Sequence, residues 1–169
     1  MRNTVVYRTA RALRSAGLAT LRFNFRGVEG SEGAHDGNGA EEMDMSACLD
    51  WLEAEYPDVP LWAAGFSFGS RTALALSLKQ ERIQRLICVA LPVRAYSLPH
   101  LSEVKQPTLI LMAGSDEFGT RSDLTELFPD LGNHVEIHQI EGADHLFRGK
   151  SPLMEACVEK YATTAMELL

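Results

Sequence analysis

Five residues, Gly65-Phe66-Ser67-Phe68-Gly69, place a serine between two glycines where an apolar stretch gives way to a helical pattern. A sharp strand-to-helix turn at this point would lift the Ser67 hydroxyl clear of a sheet, and the flanking glycines would let the backbone segments approach each other. The backbone N–H of Phe68, in the first turn of the predicted helix, would face a developing oxyanion. Ser67 is therefore the candidate nucleophile, and the Phe68 N–H is the candidate oxyanion donor.

A serine hydroxyl is a weak nucleophile near neutral pH, so Ser67 requires a histidine base and a carboxylate that orients the imidazole. Asp116 follows the predicted strand 108–113, and His145 lies in the loop after the last predicted strand, 135–140. Both positions are at expected strand ends, where side chains can meet over one edge of a sheet. The chain order Ser67, Asp116, His145 predicts a catalytic triad, with Glu117 and Asp123 as alternatives to Asp116.

The surroundings of this site can also be predicted from the sequence. Asp144 is expected to stabilise its loop rather than to act in catalysis. The short connection 92–106 between two predicted strands leaves no room for a large lid domain, so an open site is expected. The other histidines are expected to be structural or solvated, and they are His35, His100, His134 and His138. The apolar side chains predicted to border the substrate are Phe66, Leu98 and Phe147.

Apolar segments alternate with segments of helical periodicity along the chain, as in a parallel sheet that is covered on both faces. The chain opens with a predicted helix between Thr4, a cap, and Gly17, a stop, followed by a predicted strand over residues 18–25. The later predicted strands are 61–66, 85–91, 108–113 and 135–140, and the later predicted helices are 41–56, 67–80, 121–131 and one starting at 151. The predicted fold class is α/β with a mostly parallel sheet and helices on both faces, in one domain spanning residues 1–169.

The composition and charge of the chain argue against several classes of binding partner. No apolar run approaches the roughly 20 residues that span a bilayer, so no membrane association is expected. A formal net charge of −7 repels polyanions and argues against nucleic acid as a partner. Three widely spaced cysteines without a CxxC pair indicate neither a disulfide framework nor a metal site, and they fit a cytoplasmic protein.

The serine elbow, the Asp116 loop and the segment Gly-Ala-Asp-His-Leu-Phe around His145 occur in this order. In this respect the chain resembles, over nearly its whole length, the small cap-less bacterial serine hydrolases of the α/β-hydrolase superfamily that are related to dienelactone hydrolases. Residues 21–31 also resemble that group's strand and loop beside the active site, although Glu29 stands where a glycine is usual.

The resemblance implies esterase-like chemistry. Dienelactone hydrolases use a cysteine nucleophile, whereas this elbow carries Ser67, so a dienelactone activity is not implied. The expected reaction is hydrolysis of a small carboxylic ester or thioester through an acyl-enzyme, with no metal or organic cofactor. Amidase and acyltransferase reactions use the same triad and stay open as alternatives.

The resemblance further implies a strand and a loop before the first helix, and the residues before Val5 are too few to form them. That loop would supply a second oxyanion donor, and loss of one donor costs about 10²-fold to 10³-fold in rate. The strand would lie between residues 18–25 and 61–66, so a gap in the sheet is expected, and exposed strand edges favour a homo-oligomer. Two explanations stay open, namely a natural protein that is longer at its N-terminus, or an alternative function as a catalytically impaired or non-catalytic binding or scaffold domain.

Overall fold

The structure is a computed structural model that describes residues 2–37, 39–98 and 101–168. Its centre is a parallel sheet of four strands that neighbour one another in chain order, namely β1 (Leu61–Phe66), β2 (Ile83–Val89), β3 (Thr108–Ala113) and β4 (Val135–Ile140). The α-helices among the described residues are α1 (Thr4–Ser15), α2 (Ala40–Glu55), α3 (Phe68–Ser77), α4 (Arg121–Leu127) and α5 (Ser151–Met166). A 3-10 turn, Leu101–Glu103, precedes β3. The predicted α/β class with a parallel sheet is confirmed.

The sheet is covered on both faces because successive side chains of each strand point in opposite directions. In β3, Leu109 and Leu111 contribute to one core, whereas Ile110 and Met112 contribute to the other. Helices α1 and α5 complete the first core, and helices α2, α3 and α4 complete the second. Every residue of β3 is buried, which is typical of a strand inside a parallel sheet.

Residues 18–25 do not form the predicted strand, because they have no neighbouring strand in the described sheet with which to pair. A strand requires a neighbouring backbone that accepts and donates its ladder hydrogen bonds. Strand β1 is the closest candidate, but a cleft separates it from this segment, and within the described sheet β1 pairs with β2 alone. The segment is held by its side chains instead, because Leu18 packs against one core and Phe25 against the other.

Smaller differences from the prediction also have local causes. Helix α1 is capped by Asn3 rather than Thr4, since the Asn3 side chain accepts hydrogen bonds from two free N–H groups of the first turn, at 2.9 and 3.1 Å. Helix α4 ends at Leu127 rather than at residue 131, because the residue before Pro129 disfavours a helical conformation. Among the described residues, no helix combines the length and the apolar character that crossing a membrane requires.

Candidate active site

Ser67 lies on the sharp turn between β1 and α3. Its backbone has φ 53° and ψ −119°, a conformation that costs energy for a residue with a side chain and is found at functional turns. The turn is fixed by the Ser67 N–H, which donates to the carbonyl oxygen of Val89 in β2 at 2.9 Å. The predicted strand-to-helix elbow is therefore present.

The two glycines of the elbow have different roles. A Cβ atom on Gly65 would overlap the carbonyl group of Gly69, so a side chain at position 65 is incompatible with this turn. A Cβ atom on Gly69 would find its nearest neighbour in Cε2 of Phe25 at 3.7 Å, an ordinary contact. The sequence predicts that backbone segments approach closely at both glycines. This prediction is right for Gly65 and wrong for Gly69.

His145 and Asp116 complete a chain of hydrogen bonds that begins at Ser67. The His145 Nε2 lies 2.9 Å from Ser67 Oγ, and the His145 Nδ1 lies 2.7 Å from Asp116 Oδ2. The Asp116 side chain is fully buried, whereas 17% of the His145 side chain is exposed. The structure thus brings together the three side chains that the sequence selects, from the ends of β1, β3 and β4.

Phe118 holds this arrangement in place, and sequence reasoning missed it. Its backbone N–H donates to Asp116 Oδ1 at 2.9 Å, which leaves Oδ2 for the histidine. Its ring also packs edge-on against the His145 imidazole, with 4.7 Å between the ring centroids. The signal was available, because an aspartate often accepts a hydrogen bond from the backbone N–H two residues later.

The two carboxylates that were alternatives to Asp116 do not hydrogen-bond to His145 in the described part of the chain. Glu117 is exposed, and Asp123 accepts hydrogen bonds from the Thr120 N–H and hydroxyl at the start of α4, at 2.8 and 2.7 Å. Asp123 also pairs with Arg94 at 2.6 Å. The hydrogen bonds from Thr120, followed by the pair with Arg94, lower the pKa of Asp123. Asp123 is therefore a capping residue.

The other described histidines do not enter this chain of hydrogen bonds. Their nearest polar partners are the Glu41 carboxylate for His35 at 2.6 Å, the Val104 carbonyl oxygen for His134 at 2.7 Å and the Glu136 carboxylate for His138 at 3.5 Å. His100 lies outside the described residues. Asp144 accepts a hydrogen bond from the Arg148 N–H at 2.8 Å, in keeping with the predicted role in its loop.

The Phe68 N–H lies at the first position of α3, directly after Ser67, and has no acceptor among the residues that the structure describes. The Phe68 ring is packed edge-on against Phe25, His35 and Tyr96, with centroid distances of 5.7, 5.0 and 6.0 Å. The residue after Ser67 is thus held firmly, and its N–H is free to donate to a ligand at the serine.

A cleft of about 780 Å³ runs from Ser67 along the free edge of β1, between that strand and residues 18–25. The cleft lies where a gap in the sheet is predicted from the sequence. Of the three predicted pocket residues, Phe66 lines the cleft and lies 5.0 Å from the His145 ring. Leu98 and Phe147 instead pack into opposite cores, with 7% and 0% exposed, because both loops turn these side chains inward.

Comparison with other proteins identifies the family of this chain. The family described as "Alpha/beta hydrolase domain" matches residues 1–167. An uncharacterized protein of Rickettsia prowazekii is 34% identical, over 97% of this chain and 73% of that protein.

Two solved structures are similar throughout the fold. An alpha-beta serine hydrolase homologue from Coxiella burnetii has a TM-score of 0.88 and 34% identity, over 95% of this chain and 77% of its own. A serine hydrolase without lid from Xanthomonas campestris has a TM-score of 0.87 and 30% identity, over 98% and 75%. The sheet and its serine elbow define the class as the α/β hydrolases. The chain belongs to the alpha/beta hydrolase domain family, and this membership supports a hydrolase function.

Proposed function

We propose that this chain hydrolyses carboxylic esters through Ser67, with His145 as the base and Asp116 as the residue that orients the base. The observation that carries the proposal is the continuous hydrogen-bonded chain from Ser67 Oγ through the His145 imidazole to the buried Asp116 carboxylate. In this arrangement each group has the partner that acyl transfer requires.

The reaction proceeds in two halves. His145 Nε2 takes the proton of Ser67 Oγ as the oxygen attacks the ester carbonyl, and the imidazolium then protonates the leaving alcohol, leaving an acyl group on Ser67. A water molecule, deprotonated by the same nitrogen, attacks the acyl group and releases the carboxylic acid and the free serine. Asp116 Oδ2 stabilises the imidazolium through Nδ1–H in both halves.

The Phe68 N–H supports the proposal because it is rigidly placed beside Ser67 and is available to donate to the oxyanion. One such donor is worth about 10²-fold to 10³-fold in rate. This is the one donor that has been assigned, and a single donor favours weak or absent turnover. The second candidate function is therefore a binding or scaffold domain with the same fold. The two candidates differ in whether an acylated Ser67 is released by water.

Small esters and thioesters are the proposed substrates. The connection between β2 and β3 is too short to carry a lid domain, and Ser67 is partly exposed. Phe66 and the apolar cleft beside it offer surface for the carbon chain of an ester. A dienelactone activity is not part of the proposal.

The test is the steady-state hydrolysis of p-nitrophenyl acetate and butyrate by the purified chain and by Ser67→Ala. Ser115→Ala is the matched control, because Ser115 is an exposed serine in the Asp116 loop. We expect turnover by the wild type and by Ser115→Ala, and a loss of at least about 10³-fold in Ser67→Ala. Equal rates in the wild type and in Ser67→Ala would refute the esterase assignment. Stoichiometric acylation of Ser67 without turnover would favour the binding domain.

A further inference from the structure

Arg71 lies beside the proposed nucleophile. It is in the first turn of α3, where its backbone N–H donates to the Ser67 carbonyl oxygen at 3.2 Å, so one helical turn separates the two residues. Its guanidinium carbon lies 5.8 Å from the centroid of the Phe68 ring and 5.1 Å from that of the Tyr96 ring. Because Phe68 follows Ser67 directly, these contacts place the guanidinium against a side chain that adjoins the serine turn.

Arg71 differs from Arg26 and Arg94 in its charge partners. Arg26 pairs with Asp44 at 2.7 Å, and Arg94 pairs with Asp123 at 2.6 Å. Within the described part of the chain, no carboxylate lies within salt-bridge distance of Arg71.

The geometry of the Arg71 contacts leaves its hydrogen-bonding groups available. An aromatic ring attracts a guanidinium electrostatically. Unlike a carboxylate, it does not occupy the five N–H donors with hydrogen bonds. The side chain is half-buried, so its orientation is restricted by packing. A planar guanidinium held in this way is suited to binding a carboxylate through two parallel hydrogen bonds.

We infer that Arg71 selects esters that carry a carboxylate group in addition to the ester bond, an inference that rests on the proposed esterase function. A chain with a net charge of −7 repels anionic substrates in general, so a local cation is needed to retain one at the serine. Arg71 is a specificity residue in this account. The proton transfers remain with His145.

The test compares matched pairs of anionic and neutral esters. One pair is mono-p-nitrophenyl adipate and its methyl-capped counterpart, which places the carboxylate on the acyl side. The other is p-acetoxybenzoate and p-acetoxybenzamide, which places it on the leaving-group side. For each pair, the quantity measured is the ratio of kcat/KM for the anionic ester to kcat/KM for the neutral one, after subtraction of spontaneous hydrolysis.

Arg71→Met keeps most of the side-chain stem and removes the charge. We expect it to lower this ratio about 10-fold to 100-fold in at least one pair, as expected for loss of a charged hydrogen bond. Arg71→Lys should retain part of the preference. The matched control is Arg85→Met, because the Arg85 guanidinium also stacks on a ring, that of Trp62 at 5.3 Å, near the opposite end of β1.

The outcomes separate the inference from the function on which it rests. A ratio that falls in the adipate pair assigns the carboxylate to the acyl side, and one that falls in the acetoxy pair assigns it to the leaving-group side. A ratio unchanged by Arg71→Met in both pairs, or lowered equally by Arg85→Met, overturns the inference while leaving the esterase intact. Failure of the wild type to hydrolyse any of the four esters, anionic or neutral, would instead overturn the esterase.

Discussion

The carbonyl oxygen of Gly69 occupies the space that a Cβ atom on Gly65 would need. This contact joins the end of β1 to the first turn of α3 on either side of Ser67. Because the strand and the helix approach so closely here, the chain turns sharply at Ser67, whose φ is 53°. The motif's first glycine is therefore part of the construction of the turn, whereas its second glycine has ordinary space around it.

The two glycines should consequently respond differently to alanine. Gly65→Ala is expected to lower the unfolding free energy by about 3 kcal/mol or more, because backbone atoms cannot move aside easily. Gly69→Ala is expected to change it by no more than about 1 kcal/mol and to favour the helix, because alanine is the better helix former. Urea unfolding followed by circular dichroism measures both. Equal destabilisation by the two substitutions would contradict this account of the elbow.

Asp116→Asn should inactivate the enzyme through the tautomer of His145. The Phe118 N–H holds Oδ1, so the new amide group would take the place of Oδ2 and would donate to Nδ1. The imidazole proton must then sit on Nε2, which can no longer accept the proton of Ser67. We expect kcat for p-nitrophenyl acetate to fall about 10⁴-fold, as in other triads of this kind.

The matched control for this substitution is Asp144→Asn. Asp144 is next to His145 in sequence, but its carboxylate bonds to Arg148. We expect this variant to keep its activity. Wild-type kcat in Asp116→Asn would show that the buried carboxylate does not orient the base.

The sequence was sufficient to predict features that depend on local pattern and chain order. The predicted bounds of β1, β3 and β4 agree with the structure. Strands β1 and β3 are short apolar runs between turn residues, and β4 begins with alternating apolar and polar residues. Ser67, Asp116 and His145 could be selected because strand ends of a parallel sheet meet at one edge.

Features that depend on distant partners could not be predicted in this way. Residues 18–25 have strand-like composition, yet strand formation requires a neighbouring backbone that lies beyond the cleft. The burial of Leu98 and Phe147 depends on how each loop turns, which periodicity does not reveal. The role of Phe118 rests on a single backbone N–H and needed the three-dimensional contacts.

Glu41 should make the fold sensitive to acid. Its carboxyl is buried at the start of α2, and this burial acts to raise its pKa, but the N–H groups of Asp36, Glu41 itself and Gly37 outweigh burial and lower the pKa to about 2. A depressed folded-state pKa stabilises the fold above the unfolded value of about 4.3. That contribution is lost as the pH falls from about 4.3 towards 2.

The measurement is the difference in unfolding free energy between about pH 7 and about pH 3. We expect this difference to be smaller in Glu41→Gln than in the wild type, because glutamine cannot titrate. Glu42→Gln is the neighbouring control, since Glu42 pairs with Lys79 on the surface at 2.7 Å. The same acid dependence in the wild type and Glu41→Gln would contradict the assignment.

An acyl group bound to Ser67 is the most direct evidence for the proposed mechanism. The measurement is rapid mixing of the chain with p-nitrophenyl acetate, acid quench within the first turnover, and mass-spectrometric localisation of the acetyl group. We predict an acetyl group on the peptide that contains Ser67, formed as p-nitrophenol is released and absent in Ser67→Ala. An acetyl group on another residue, with p-nitrophenol release unchanged in Ser67→Ala, would contradict the central claim.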